Sequence, residues 1–232
     1  MQIFAIQVEG ARKAAIKFSA AVLSAAVLLA LFAVPAHAQD VKVTNTGIDE
    51  PNPVTYRNMF EAYGGLNLMT FTAGDLPHRA NLGGVEMLGT WWATHHIGVG
   101  VDARAEAGTT KATSNLTYFP LVEQFMLLGG AQWRGPHNAH VSLNYHGYAG
   151  GSDGFFNRSL HGANPVTYGL FPNQIAPVVA TGISLDWNRS EKWAIRLTPD
   201  CYFTHFSTPT SGAEWEETFG IGLGVVYRFH DK

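Results

Sequence analysis

The chain has 232 residues, a net charge of −3 at neutral pH, 12% aromatic and 14% charged residues, and 25 glycines. That balance offers no basic footprint for nucleic acid, and one cysteine, Cys201, excludes an intrachain disulfide framework. Beyond residue 38 no apolar run reaches about 18 residues, so no membrane-spanning helix is expected there.

Residues 1–38 read as an export signal. Arg12, Lys13 and Lys17 make a basic start, Phe18 to Val34 is almost wholly apolar, and Ala36-His37-Ala38 supplies a small-x-small cleavage pattern. A mature chain beginning at Gln39 is predicted, in preference to a retained membrane anchor. Residues 39–58 are polar and hold Pro51 and Pro53, which suits an extended periplasmic lead-in.

From Met59 the pattern changes to alternation of apolar with small or polar residues, and it recurs eight times. The predicted strands are residues 59–72, 80–92, 95–108, 123–134, 138–151, 175–188, 192–206 and 216–229. In the third, Ile97, Val99, Val101, Ala103 and Ala105 oppose Gly98, Gly100, Asp102, Arg104 and Glu106. In the last, Phe219, Ile221, Leu223, Val225, Tyr227 and Phe229 oppose Thr218, Gly220, Gly222, Gly224 and Arg228. A period of two sends such sets to opposite faces of a sheet.

The connections alternate too. Ala93-Thr94, Gly135-Pro136-His137 and Asn188-Arg189-Ser190-Glu191 are short; 73–79, 109–122, 152–174 and 207–215 are long. Short turns on one side and long loops on the other are the habit of outer-membrane barrels. An eight-stranded antiparallel up-and-down transmembrane β-barrel over residues 59–232 is therefore expected. It must close, because lipid cannot satisfy an open strand edge.

Two side-chain sets follow. Trp91, Trp92, Trp133, Trp187, Trp193, Tyr227 and Phe229 cluster near the short turns and read as an aromatic girdle at the membrane boundary. Glu61, Glu86, Asp102, Arg104, Glu106, Arg134, Asp186, Arg196, Asp200 and Arg228 fall on the inward parity. Eight strands leave an interior that side chains fill, so these charges are expected to form a paired network, with glycines making room for them. A narrow pore has support only from that charged interior.

Gly182-Ile-Ser-Leu-Asp-Trp-Asn-Arg-Ser-Glu-Lys-Trp-Ala-Ile-Arg-Leu, Tyr202 and the closing Gly-Val-Val-Tyr-Arg-Phe resemble the small OmpA-like, opacity-type outer-membrane β-barrel family. Glu61-Ala-Tyr-Gly-Gly resembles that family's first strand, and Leu127-Leu-Gly-Gly-Ala-Gln its fourth. The resemblance implies the outer membrane as location and the barrel-assembly machinery as a partner during biogenesis, the latter reading Gly224–Phe229. It departs from the pattern in that His230-Asp231-Lys232 follow the terminal aromatic. It assigns no role, since members of one fold differ in function.

The sharpest chemical candidate is His205-Phe206-Ser207, whose His and Ser share a face, with Glu214, Glu216 or Glu217 nearby as an orienting carboxylate. This resembles the His-x-Ser of outer-membrane lipid A deacylases, although Thr208 stands where an Asn usually follows. A hydrolase acting on lipid ester bonds is the runner-up to a non-enzymatic structural or adhesive role. His140 and His146 share a parity about 20 Å apart, too far for one metal; neither metal nor cofactor is expected. Loop 152–174, with Phe155, Phe156, His161, Asn164, Tyr168 and Phe171, is the candidate surface for an extracellular partner, unless its aromatics fold back on the rim. The remaining partner is outer-membrane lipid.

Overall fold

Alternation carried through eight segments builds eight strands, each hydrogen-bonded to the next and the last to the first. The computed structural model describes residue 54 and residues 56–74, 79–111, 119–208 and 212–229. The expected signal peptide and residues 39–53 of the lead-in lie outside the described residues. The strands are β1 (Phe60–Thr72), β2 (Arg79–Trp92), β3 (Ile97–Thr109), β4 (Leu121–His137), β5 (Val141–Phe155), β6 (Gln174–Asn188), β7 (Trp193–Thr208) and β8 (Gly212–Phe229). All neighbours are antiparallel in chain order, and β1 closes on β8 from Phe60↔Phe229 to Thr70↔Phe219.

The outer face is apolar and open. Leu66, Met87, Leu127 and Ile175 are 69%, 69%, 63% and 77% exposed, and Val99, Val101, Ile221 and Leu223 project on the same side. Large aliphatic side chains left out over a whole barrel wall require hydrocarbon rather than water around them. No helix among the described residues is long and apolar enough to cross a membrane; the strands do so instead.

Three tight turns close one end, each held by a short polar side chain. Thr94 Oγ1 accepts from the amides of His96 (3.3 Å) and Ile97 (2.9 Å). Asn138 Oδ1 accepts from those of His140 and Val141, both at 2.8 Å. Ser190 Oγ accepts from Trp193 N–H at 3.0 Å. Such side chains mimic a backbone turn, and they correct two predicted boundaries. Thr94 delays β3 to Ile97. Asn138, rather than Gly135-Pro136-His137, makes the second turn, so β4 runs on to His137 with a register shift between Arg134 and His137. His140 then sits in a turn, whereas His146 is an inward, buried residue of β5.

The opposite end differs more from expectation. Strands reach further into the predicted loops, β5 to Phe155, β7 to Thr208 and β8 back to Gly212, whose φ of 82° suits glycine. Between β5 and β6 the chain turns inward over the mouth through a short 3₁₀ turn, Pro165–Tyr168. Asn164 Oδ1 caps that turn at Val166 N (3.1 Å), and Gly169 (φ 76°) ends it. Leu170 then bridges to Gly74, where any side chain at 74 would strike the Gly169 carbonyl.

Candidate functional site

The interior holds the chemistry, in three levels. At the turn end, β1, β4, β6, β7 and β8 each contribute a charged or polar side chain from an inward position. Arg196 meets Asp186 through two bonds, Nε–Oδ1 2.6 Å and Nη2–Oδ2 2.8 Å, and reaches Glu61 Oε2 at 3.2 Å. Arg134 Nη2 donates to Glu61 Oε1 at 2.9 Å. Arg228 donates to Asp186 Oδ2 (3.2 Å) and Asn188 Oδ1 (2.8 Å). All are buried. Paired and forked, three guanidinium groups thus share two carboxylates, which offsets much of the cost of removing charge from water.

Tyr56 crosses this level from the chain's lead-in. It is 5% exposed; its hydroxyl donates to Asn138 O (2.8 Å) and accepts from Asn188 Nδ2 (2.5 Å), and its carbonyl accepts from Arg134 Nη1 (3.0 Å). The guanidinium groups of Arg134 and Arg228 both lie 5.2 Å from its ring centre. The sequence places Tyr56 in the polar, extended periplasmic lead-in 39–58. The only signal was a lone aromatic four residues before the first strand.

Trp92 is corrected here. It is 3% exposed and lies inside, with Arg134 4.0 Å above its ring. Adjacent residues of a strand face opposite ways, so Trp91 and Trp92 cannot share a girdle. Trp91, Trp133, Trp187, Trp193 and Phe229 are exposed on the outer wall, with Tyr227 half-buried beside them. Trp133 stacks on Tyr145 and Trp193 packs on Tyr227 at 5.2 and 4.7 Å. At the other end Phe119, Phe125 and Trp215 are also exposed outward, a second aromatic set with no counterpart among the predictions.

The middle level centres on Arg104. Its Nε donates to Asp102 Oδ2 (2.7 Å), and its Nη2 to Glu86 Oε1 (2.8 Å) and Asp200 Oδ2 (2.7 Å). Nη1 reaches the Tyr202 hydroxyl, which donates to Asp200 Oδ2 at 2.8 Å. His146 Nε2 lies 2.8 Å from Asp200 Oδ1. Glu106 accepts from Asn67 Nδ2 at 2.5 Å. Glycine makes this possible on the facing strands: a Cβ at Gly182 would collide with Asp200, and one at Gly222 would lie 2.6 Å from Glu86 Oε2.

Above them the filling becomes apolar. Phe71, Phe156, Phe171 and Phe206, each at most 3% exposed, form a stack with centroid separations of 5.2–6.2 Å. Leu82, Val122, Leu160 and Leu170 surround them. Loop 152–174 therefore divides its named residues. Phe156 and Phe171 go inward, Phe155 stays outside against Phe125 (6.0 Å), Tyr168 is half-buried, and His161 and Asn164 are exposed.

His205 and Ser207 lie on the outer wall at the loop end, on one face. Their contacts are with other residues. Ser207 Oγ donates to Gln174 Oε1 at 3.0 Å, and Gln174 Nε2 donates to Ser207 O at 2.9 Å. The His205 ring packs on Trp215 at 4.8 Å, and its Nδ1 has no hydrogen-bond partner. The side chain of Glu214 lies outside the described residues.

No sequence-family model matches the chain, and no curated protein sequence does. Solved structures do match. Neisserial surface protein A, NspA, superposes with a TM-score of 0.56 at 6% identity, over 73% of this chain and 97% of that one. OprG, an outer membrane protein from Pseudomonas aeruginosa, gives 0.52 at 14% identity, over 74% and 96%. The fold is that of a small eight-stranded outer-membrane β-barrel. At such identities the likeness extends to the path of the backbone and no further.

Proposed function

We propose that this chain is a non-enzymatic resident of the bacterial outer membrane, exported by a signal peptide cleaved after Ala38, whose sealed barrel holds surface loops in a structural or adhesive role. The lumen is a plug, and the protein does not conduct. One observation carries this: side chains cross the interior at three successive levels, from Tyr56 and the arginine network to the four phenylalanines. An eight-stranded barrel is narrow enough for such filling to close it. The exposed aromatics of the turn end sit at the inner boundary of the membrane, with Trp91, Trp133, Trp187 and Trp193 in the headgroup layer. OmpA-like membership accords with the aromatic close of β8, where Phe229 faces outward.

Planar-bilayer recording of the purified protein tests the seal. No steady conductance is expected, and an open channel in the wild type would overturn the reading. The adhesive role is tested by replacing the exposed loop residues Arg158, His161 and Thr167 with serine while keeping the buried Phe156, Leu160, Pro165 and Phe171. Binding to host-cell surfaces should fall with barrel folding intact; unchanged binding would remove this loop as the contact surface.

A further inference from the structure

Two exposed histidines meet across strands that no sequence spacing connects. His96 closes the β2–β3 turn, and His137 is the last residue of β4. Pairing of Ile97 with Trp133, followed by the bond from Arg134 N–H to the His96 carbonyl (2.8 Å), brings the two chain segments together. The irregularity between Arg134 and His137 lets β4 run past that point. The ring centroids end up 6.3 Å apart.

Both rings are oriented in the same way. His96 Nδ1 lies 3.2 Å from the carbonyl of Arg134, and His137 Nδ1 lies 2.9 Å from that of Gly135. A carbonyl oxygen can only accept, so in each neutral ring the proton is on Nδ1 and Nε2 presents a lone pair. A backbone carbonyl on one ring nitrogen is the usual second support of an imidazole whose other nitrogen holds a metal.

We propose that His96 and His137 bind one borderline divalent cation, of the Zn²⁺, Cu²⁺ or Ni²⁺ class, through their Nε2 atoms, with water completing the coordination. The separation is within reach of this. With metal–nitrogen bonds of about 2.0–2.1 Å and a tetrahedral angle, two imidazoles on one ion have ring centres about 5 Å apart. Rotation of the two exposed side chains closes the observed 6.3 Å by about 1 Å when the ion binds. Nitrogen-only ligation favours these ions over Mg²⁺ or Ca²⁺. No group of three His, Cys, Asp or Glu residues arranged for a metal occurs among the described residues, so the protein supplies two ligands and binding is weaker than in a closed structural zinc site. The site also touches the lead-in: the Tyr56 ring lies 4.5 Å from that of His137, and its hydroxyl holds the Asn138 carbonyl. An ion bound to the folded form alone therefore stabilises the turn end.

The experiment uses tag-free protein folded in detergent micelles. Calorimetric titration with Zn²⁺ is expected to show one ion per barrel with micromolar affinity. Electron paramagnetic resonance with Cu²⁺ should show two coordinated nitrogens. His96→Ala and His137→Ala should each weaken binding by about tenfold or more, while His140→Ala, three residues further on in the turn, stays near wild type. Both rings are exposed, so circular dichroism should be unchanged in every variant. Zn²⁺ should raise the midpoint of thermal unfolding in the wild type and not in His137→Ala. Wild-type affinity in both His96→Ala and His137→Ala, or loss of binding in His140→Ala alone, would overturn the proposal, as would displacement of Zn²⁺ by equimolar Mg²⁺.

Discussion

The two ends of the interior are closed by opposite chemistry. At the turn end Arg134, Arg196 and Arg228 are shared between Glu61 and Asp186, with Tyr56 laid across them. At the loop end Phe71, Phe156, Phe171 and Phe206 pack on one another. The first arrangement is directional. Three guanidinium groups share two carboxylates at a fixed register, so the strands that supply them cannot slip without leaving a charge unpaired. The second is tolerant of angle, because ring contacts here range from stacked to edge-on. The plug made of rings is also the one built partly from a loop, where the backbone is less constrained than in a strand.

Removing one partner from each end should expose that difference. Arg196→Ala removes the two-bond partner of buried Asp186 and leaves it Arg228 alone at 3.2 Å, and a loss of about 4 kcal/mol is expected in reversible urea unfolding from lipid vesicles. Replacing Arg196 and Asp186 together by Met and Leu should recover part of it, because both halves of the two-bond pair are then gone while Arg228 keeps Asn188 and Glu61. Recovery no better than the single variant would mean that the charges give more than mutual compensation. Phe206→Ala leaves a cavity among three remaining rings, with a loss of about 3 kcal/mol. Planar-bilayer recordings of that variant should stay silent, since the turn end is still closed; a conducting Phe206→Ala barrel would make the phenylalanines the sole seal. The smallest effect is expected at the turn itself. Asn138→Ala removes two bonds to backbone amides and should cost about 1 kcal/mol in the same unfolding assay.

Inward parity in the sequence already separated the ten charged residues from the apolar outer set, because a strand's period of two needs no knowledge of neighbours. It did not reveal who pairs with whom. Arg104 collects Glu86 from β2, Asp102 from its own strand and Asp200 from β7; those choices depend on curvature bringing distant strands across a narrow lumen. Trp92 was misplaced for a simpler reason: turn proximity was weighed above parity, and parity won. Tyr56 lay in a stretch without alternation, and the candidate hydroxyl of Ser207 found Gln174, a neighbour 33 residues away in sequence.

What this chain's order of residues determined by itself is the barrel: eight alternating runs, apolar outside, with the charged side chains turned to the middle. Only tertiary structure decided how the ends are closed and which side chains meet there. Strand periodicity is a local property of the backbone. The approach of Phe156 to Phe206, of Tyr56 to Arg134, or of His96 to His137 follows from closing the sheet, which sets distances no linear spacing contains.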